Sequence, residues 1–167
     1  GEYFDNPHWY GAPVMSRVDP SVRFDWGMGA VAGDASDHVS VRWSGKVRVA
    51  RSGTYTLHVE ADDSATLTLD HVMVLSAAGT AQVELTADVF HDIVLYYAED
   101  VGTASVALSI SSAFVQKRPF ASNELFSSSP LVGSPVTVSV LPGAVSATHT
   151  TIEQAASELG TAVAGKE

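Results

Sequence analysis

The sequence predicts an all-β fold, a two-sheet antiparallel β-sandwich with an irregular aromatic-rich N-terminal lead-in and a C-terminal linker plus strand. Three observations carry this expectation. Apolar residues recur with a period of two through residues 38–110. Short runs of that kind are separated by Gly, Asp and Ser turn signals at regular spacing, the habit of sandwiches and barrels. Helical periodicity is almost absent from the same region.

Taken in order, the first 37 residues mix Gly, Pro, Asp and aromatic residues with short apolar pairs. They read as a lead-in that wraps the sandwich rather than as a regular set of strands. From His38 the alternation begins. Val39, Val41 and Trp43 alternate with Ser40, Arg42 and Ser44, and Gly45 breaks the run before Val47 and Val49 resume it. Tyr55, Leu57 and Val59 share one face of the next strand, and Leu67 and Leu69 one face of the strand after it. Val72 and Val74 follow a tight turn, and Val83 and Leu85 mark a further strand. Ile93–Tyr97 is continuously apolar, as a strand buried on both faces would be. Val106, Leu108 and Ile110 close the series. Trp26, Trp43, Tyr55 and Tyr96 are assigned to the core.

The composition changes after residue 126. Residues 127–135 contain Ser127-Ser128-Ser129-Pro130 and Gly133-Ser134-Pro135, which is linker chemistry. In residues 136–167 only Val136–Leu141 alternates as a strand, stopped by Pro142-Gly143, and Ile152–Leu159 has the pattern of a short helix. A stretch with one good strand cannot bury a core of its own. The expected division is therefore a sandwich over 1–126, a linker over 127–135, and the beginning of a neighbouring unit over 136–167.

Bulk properties narrow the function. The chain has 167 residues and a formal net charge of −10. That sign argues against nucleic acid, where affinity comes from Lys and Arg on phosphate, and against an anionic membrane surface. It suits cation binding wherever carboxylates converge. There are no cysteines, so disulfides and thiolate metal sites are excluded. No apolar run approaches the ~20 residues of a membrane helix. The six histidines are scattered without zinc-ligand spacing and read as surface residues. Gly27-Met28-Gly29 lacks the strand-to-helix context of a phosphate cradle, and no Gly-x-Ser-x-Gly elbow occurs. An independent enzyme is not expected. The absence of a leader and of an initial Met reads as an excerpt of a longer protein.

The ordered series Glu2-Tyr3-Phe4-Asp5-Asn6, Gly11-Ala12-Pro13, Val18-Asp19, Phe24-Asp25-Trp26-Gly27, Val39–Gly45, Ser52–Leu57 with Asp62-Asp63 at the strand end, Tyr96-Tyr97-Ala98-Glu99, and Phe120 to Phe126 resembles the domain named for the fourteen-kilodalton fragment of anthrax protective antigen. That domain also occurs in yeast flocculins, epithelial and bacterial adhesins and some glycosidases. The resemblance implies a two-sheet sandwich that binds rather than catalyses. In the lectin members two consecutive Asp residues, joined by a cis peptide, hold a calcium ion whose coordination sugar hydroxyls complete. Those positions here are Asp62 and Asp63. The resemblance maps a side-chain ligand to Glu99, where the adhesins have Asn, and backbone carbonyl ligands to Val101 and Thr103. Asp62, Asp63, Glu99 and Asp100 would then face the ligand. Ser64 stands where the family has Gly, and Asp70-His71 where it has Asp-Gly, so this hairpin turn is expected to differ in type. Trp9 and Tyr10 are candidates for a sugar platform, with packing on the sandwich as the alternative. The tail, Gly133–Gly143 and Leu159–Glu167, resembles the end of one filamin-type immunoglobulin-like repeat and the start of another.

The Asp pair needs its context. Successive strand residues point to opposite faces, so two neighbouring carboxylates do not ordinarily meet one ion, and Asp-Asp at a strand end is also plain turn chemistry. Two readings stay open. One is a calcium-dependent carbohydrate-binding module of a larger secreted or cell-surface protein, with a glycan or glycoprotein and neighbouring domains as partners. The other is a structural or assembly module of a filament or matrix without sugar binding. A module assisting a glycosidase elsewhere in the parent protein is a third.

Overall fold

The structure, a computed structural model, describes residues 1–127. Apart from Ser127, the expected linker, the strand Val136–Leu141, the helix Ile152–Leu159 and the filamin-type boundary lie outside the described residues.

The described residues form two antiparallel sheets packed face to face, with no helix among them. The first sheet contains β1 (Glu2–Phe4), β2 (Met15–Ser16), β4 (Val39–Val47), β6 (Ser64–Leu69), β7 (Val72–Leu75), β9 (His91–Glu99) and β12 (Leu125–Ser127). Its order is β2-β1-β4-β9-β6-β7, with β12 also on β4. The second contains β3 (Arg23–Gly27), β5 (Gly53–Ala61), β8 (Gly79–Leu85), β10 (Ala104–Ser112) and β11 (Arg118–Pro119), in the order β11-β10-β5-β8 with β3 on β10.

The period-two pattern folds as expected. Val39, Val41, Trp43 and Val47 of β4 face Leu57, Val59, Val106 and Leu108 of the other sheet across one buried core. Three expectations are corrected. The strand Ile93–Tyr97 is not buried on both faces: Ile93, Leu95 and Tyr97 are buried, whereas Val94 and Tyr96 are only half-covered on the outer face. Its continuous apolarity reflects partial cover by the lead-in, where Trp9 meets the Tyr96 ring edge-on at 5.4 Å. Tyr96 therefore lies outside the core. Trp26 is half-buried but stacks on Tyr97 at 6.0 Å, and Trp43 and Tyr55 are buried as assigned.

Second, β4 runs unbroken through Gly45. Glycine is needed there because a Cβ would stand 2.7 Å from the Phe126 carbonyl oxygen of β12. Third, the lead-in supplies three strands rather than a mere wrapping. What organises it is a buried carboxylate. Asp19 Oδ2 accepts from the Tyr3 hydroxyl at 2.7 Å and from Trp43 Nε1 at 2.8 Å, and Oδ1 accepts from Arg17 Nε at 2.7 Å. Burial and the neighbouring carboxylate push the Tyr3 phenol well above its ordinary pKa, so it remains a donor. Three polar side chains are thereby satisfied at once, as burial demands.

The hairpin between β6 and β7 carries its turn on unusual residues. The expectation of a different turn type is also corrected: Asp70 and His71 both have positive φ, 48° and 65°, the mirror-image turn that Asp-Gly would give. The strain at His71 is offset by its neighbour. The Asp70 carboxylate accepts from the Asp92 amide at 2.8 Å and pairs with His91 Nδ1 at 2.7 Å.

Gly45→Ala is expected to lower the unfolding free energy by about 1–3 kcal/mol, read from urea denaturation, because β12 must leave its register. Arg118 donates two hydrogen bonds to Glu124, at 2.7 and 2.8 Å, and this holds the Glu124 carboxyl below its usual pKa. A depressed carboxylate stabilises the fold above its unfolded pKa and loses that contribution as pH falls through the folded one. Glu124→Gln is therefore expected to cost about 1–2 kcal/mol at neutral pH. The gap between the two proteins should close on acidification in melts run against pH.

Candidate metal and ligand site

Three segments cross between the sheets at one end of the sandwich. Asp62-Asp63 carries the chain from β5 to β6, residues 100–103 carry it from β9 to β10, and residues 28–38 carry it from β3 to β4. Register places them together. Val39 pairs with Glu99, Ser64 with Ala98, and Gly27 with Ala104.

The first two crossings are bonded to each other. The Asp62 amide donates to the Ser105 carbonyl at 2.9 Å, and Asp62 Oδ2 accepts from Thr103 Oγ1 at 2.6 Å. Asp63 Oδ2 accepts from the Asp100 amide at 2.7 Å. The Asp62–Asp63 peptide is trans, not the cis bond implied by the resemblance. The chain turns instead at Asp63, whose φ is 63°, a conformation that Asp tolerates better than most residues.

Glu99 is the unexpected member. It belongs to the end of β9, not to the loop, and its exposure is 0%. Alternation explains this: Ile93, Leu95, Tyr97 and Glu99 share the inward face. Glu99 Oε2 accepts from the Tyr97 hydroxyl at 2.6 Å, while Oε1 is buried with no hydrogen-bond partner among the described residues. Burial first, and then the adjoining carboxylates of Asp63 and Asp62, push its pKa above the usual carboxylate range. The same burial, with Glu99 as neighbour, raises Tyr97 far above an ordinary phenol.

Asp100 points the other way. Its side chain is exposed and pairs with His38 Nδ1 at 2.9 Å. Val101 is exposed, and Thr103 is exposed with its hydroxyl committed to Asp62. The packing alternative holds for Trp9, whose indole donates to the Val41 carbonyl at 3.2 Å, while Tyr10 is 75% exposed. From the sequence His38 reads as an ordinary surface residue and Asp37 draws no notice. Neither carries a local signal, since what matters is which loop each one faces.

Among the described residues no three His, Cys, Asp or Glu side chains close into a ready metal cage. The donor chemistry nonetheless fits a hard cation. Asp62, Asp63 and Glu99 offer oxygen alone, the adjoining crossing of residues 100–103 has backbone carbonyls, and a buried carboxylate oxygen lacks a partner. Asp62, Asp63 and Glu99 would hold such an ion with the carbonyls of Val101 and Thr103. It would supply charge compensation to the carboxylates and a point of attachment for hydroxyl oxygens.

A sandwich with acidic, oxygen-rich crossings at one end defines a loop-bearing β-sandwich, in which the sheets are the scaffold that places the loops. The chain belongs to the PA14 domain family, whose model matches residues 1–118. It is similar to the anti-sigma-I factor RsgI3 of Acetivibrio thermocellus, 34% identical over 136 residues that make up 77% of this chain and 21% of that protein. The chain thus spans about a fifth of that relative's length. An anti-sigma factor domain-containing protein from Clostridium clariflavum superposes with a TM-score of 0.72 at 28% identity, over 77% of this chain and 46% of that one. The PA14 sugar-binding domain from an RTX adhesin shares the fold, with a TM-score of 0.58 at 15% identity, over 75% of this chain and 96% of that one.

Glu99→Gln tests the buried oxygen. The amide keeps an acceptor for Tyr97 and presents a donor toward Asp63, so one unpartnered acceptor and one buried charge disappear together. In chelator, the Glu99→Gln protein is expected to melt at or above the wild-type temperature, by a margin worth up to about 1 kcal/mol.

Proposed function

We propose that this chain is a non-catalytic, calcium-dependent carbohydrate-binding module of a longer extracellular protein. The observation that carries the reading is the buried Glu99 carboxylate at the end of β9, with one oxygen lacking a partner, beside the Asp62-Asp63 crossing of a PA14 sandwich. Calcium would relieve the mutual repulsion of these carboxylates. Sugar hydroxyls would complete its coordination at the exposed rim formed by Asp63 and residues 100–103. The partners are a glycan or glycoprotein and the neighbouring domains of the same protein.

The similarity to an anti-sigma-I factor favours a particular setting for such a module. In a signalling protein, glycan capture outside the cell is the input, and the sandwich is the reader rather than the effector. A purely structural module, with or without a stiffening ion, is the competing reading.

Calcium titration separates them. Binding to the folded state alone stabilises it by about 2.7 kcal/mol at a hundredfold excess over Kd, so millimolar calcium should raise the wild-type melting temperature by several degrees and chelator should reverse it. Asp63→Asn should lose that response. A glycan array run with calcium should then give hits that chelator removes. A melting temperature indifferent to millimolar calcium defeats the ion reading, and a blank array beside a clear calcium response favours the structural module.

A further inference from the structure

The third crossing, from β3 to β4, touches the loop that would hold the ion. Asp37 Oδ1 accepts from the Gly102 amide at 3.0 Å. The His38 amide donates to the Asp100 carbonyl at 2.8 Å, and His38 Nδ1 meets Asp100 Oδ1 at 2.9 Å. These contacts bracket residues 100–102 from the side opposite Asp62 and Asp63. His38 takes a left-handed φ of 54° to make them, and Gly102 one of 107°. A non-glycine residue held there costs free energy that the surroundings must offset. All of these groups are solvent-accessible, so water could satisfy each of them; the chain spends conformational strain to satisfy them internally instead.

We infer that Asp37-His38 is a positioning element for the ion-binding loop. The inference rests on the proposed calcium reading and adds to it a residue pair that holds residues 100–103 in place before any ion arrives. The Asp62–Thr103 and Asp63–Asp100 bonds tie the loop from one side only. An ion recruiting the carbonyls of Val101 and Thr103 needs the peptide planes on both flanks fixed, and the Gly102 amide is the flank that Asp37 fixes. Asp37 acts through its acceptor oxygen, so an amide in its place should serve nearly as well as the carboxylate. Asp100, held outward by His38, serves the loop's shape before it serves any ligand.

The test compares wild type, Asp37→Ala and Asp37→Asn in the full chain. Calcium chloride is titrated into chelator-stripped protein by calorimetry, apo melting is recorded, and amide exchange is measured at Gly102. Asp37→Ala is expected to weaken calcium binding by about tenfold, as loss of an outer-shell partner does. Its apo melting temperature should fall by no more than about 3 °C, and exchange at Gly102 should quicken. Asp37→Asn should restore most of the affinity and the protection. Wild-type affinity in Asp37→Ala overturns the inference, and so does equal loss in both variants, which would assign the effect to charge. If wild type itself gives no heat with calcium, the ion reading fails with it. That result is distinct because it appears before any substitution is made.

Discussion

The pairing of β4 with β9 governs the rest. Nine consecutive residues of each strand face one another, from Val39 opposite Glu99 to Val47 opposite His91. Once that register is set, alternation leaves no choice about side-chain direction. Val39, Val41, Trp43 and Val47 enter the core from one strand, and Ile93, Leu95, Tyr97 and Glu99 from the other. A slip of one residue would turn Tyr97 and Leu95 outward and bury Tyr96 and Val94 in their place. The same parity that builds the core therefore drives a carboxylate into it at the end nearest the crossings. The acidic character of the site is a by-product of strand geometry as much as of loop chemistry.

The two ends of the sandwich handle buried charge differently. Near the start of the chain, Asp19 has a full set of donors in Tyr3, Trp43 and Arg17, and it fastens the lead-in to β4. At the crossing end, Glu99 has one donor and two like-charged neighbours. A satisfied buried carboxylate fixes structure, whereas an unsatisfied one stores unfavourable energy that a cation can release. Membership of the PA14 domain family supplies the frame. The contrast between these two carboxylates is what directs attention within it.

Much of the fold is legible in the sequence because a half-buried strand announces itself by alternation. The strands through Tyr55, Leu67, Val83 and Val106 lie where that alternation puts them. The lead-in is not legible as strands, since β1 and β2 are three and two residues long and too short to show a period. Gly45 looks like a break in the sequence because glycine in a strand can also mark another backbone coming close, and β12 lies far away along the chain. For the site, the Asp pair and Glu99 can be picked out by resemblance, but the depth of Glu99 is open to direct reading as well. It continues the inward series of β9 by two residues. Asp37 and His38 offer no such handle, because their importance comes from which crossing they lie against.

The edge of β4 that faces away from β9 is shared by two short strands. Glu2 of β1 stands opposite Arg42, and Ser127 of β12 stands opposite Gly45. The first and last strands of the described residues thus lie within three residues of one another along a single strand, about 10 Å apart. A unit with its doorway and exit side by side can be spliced into a longer chain as a side loop, leaving the flanking segments almost where they were.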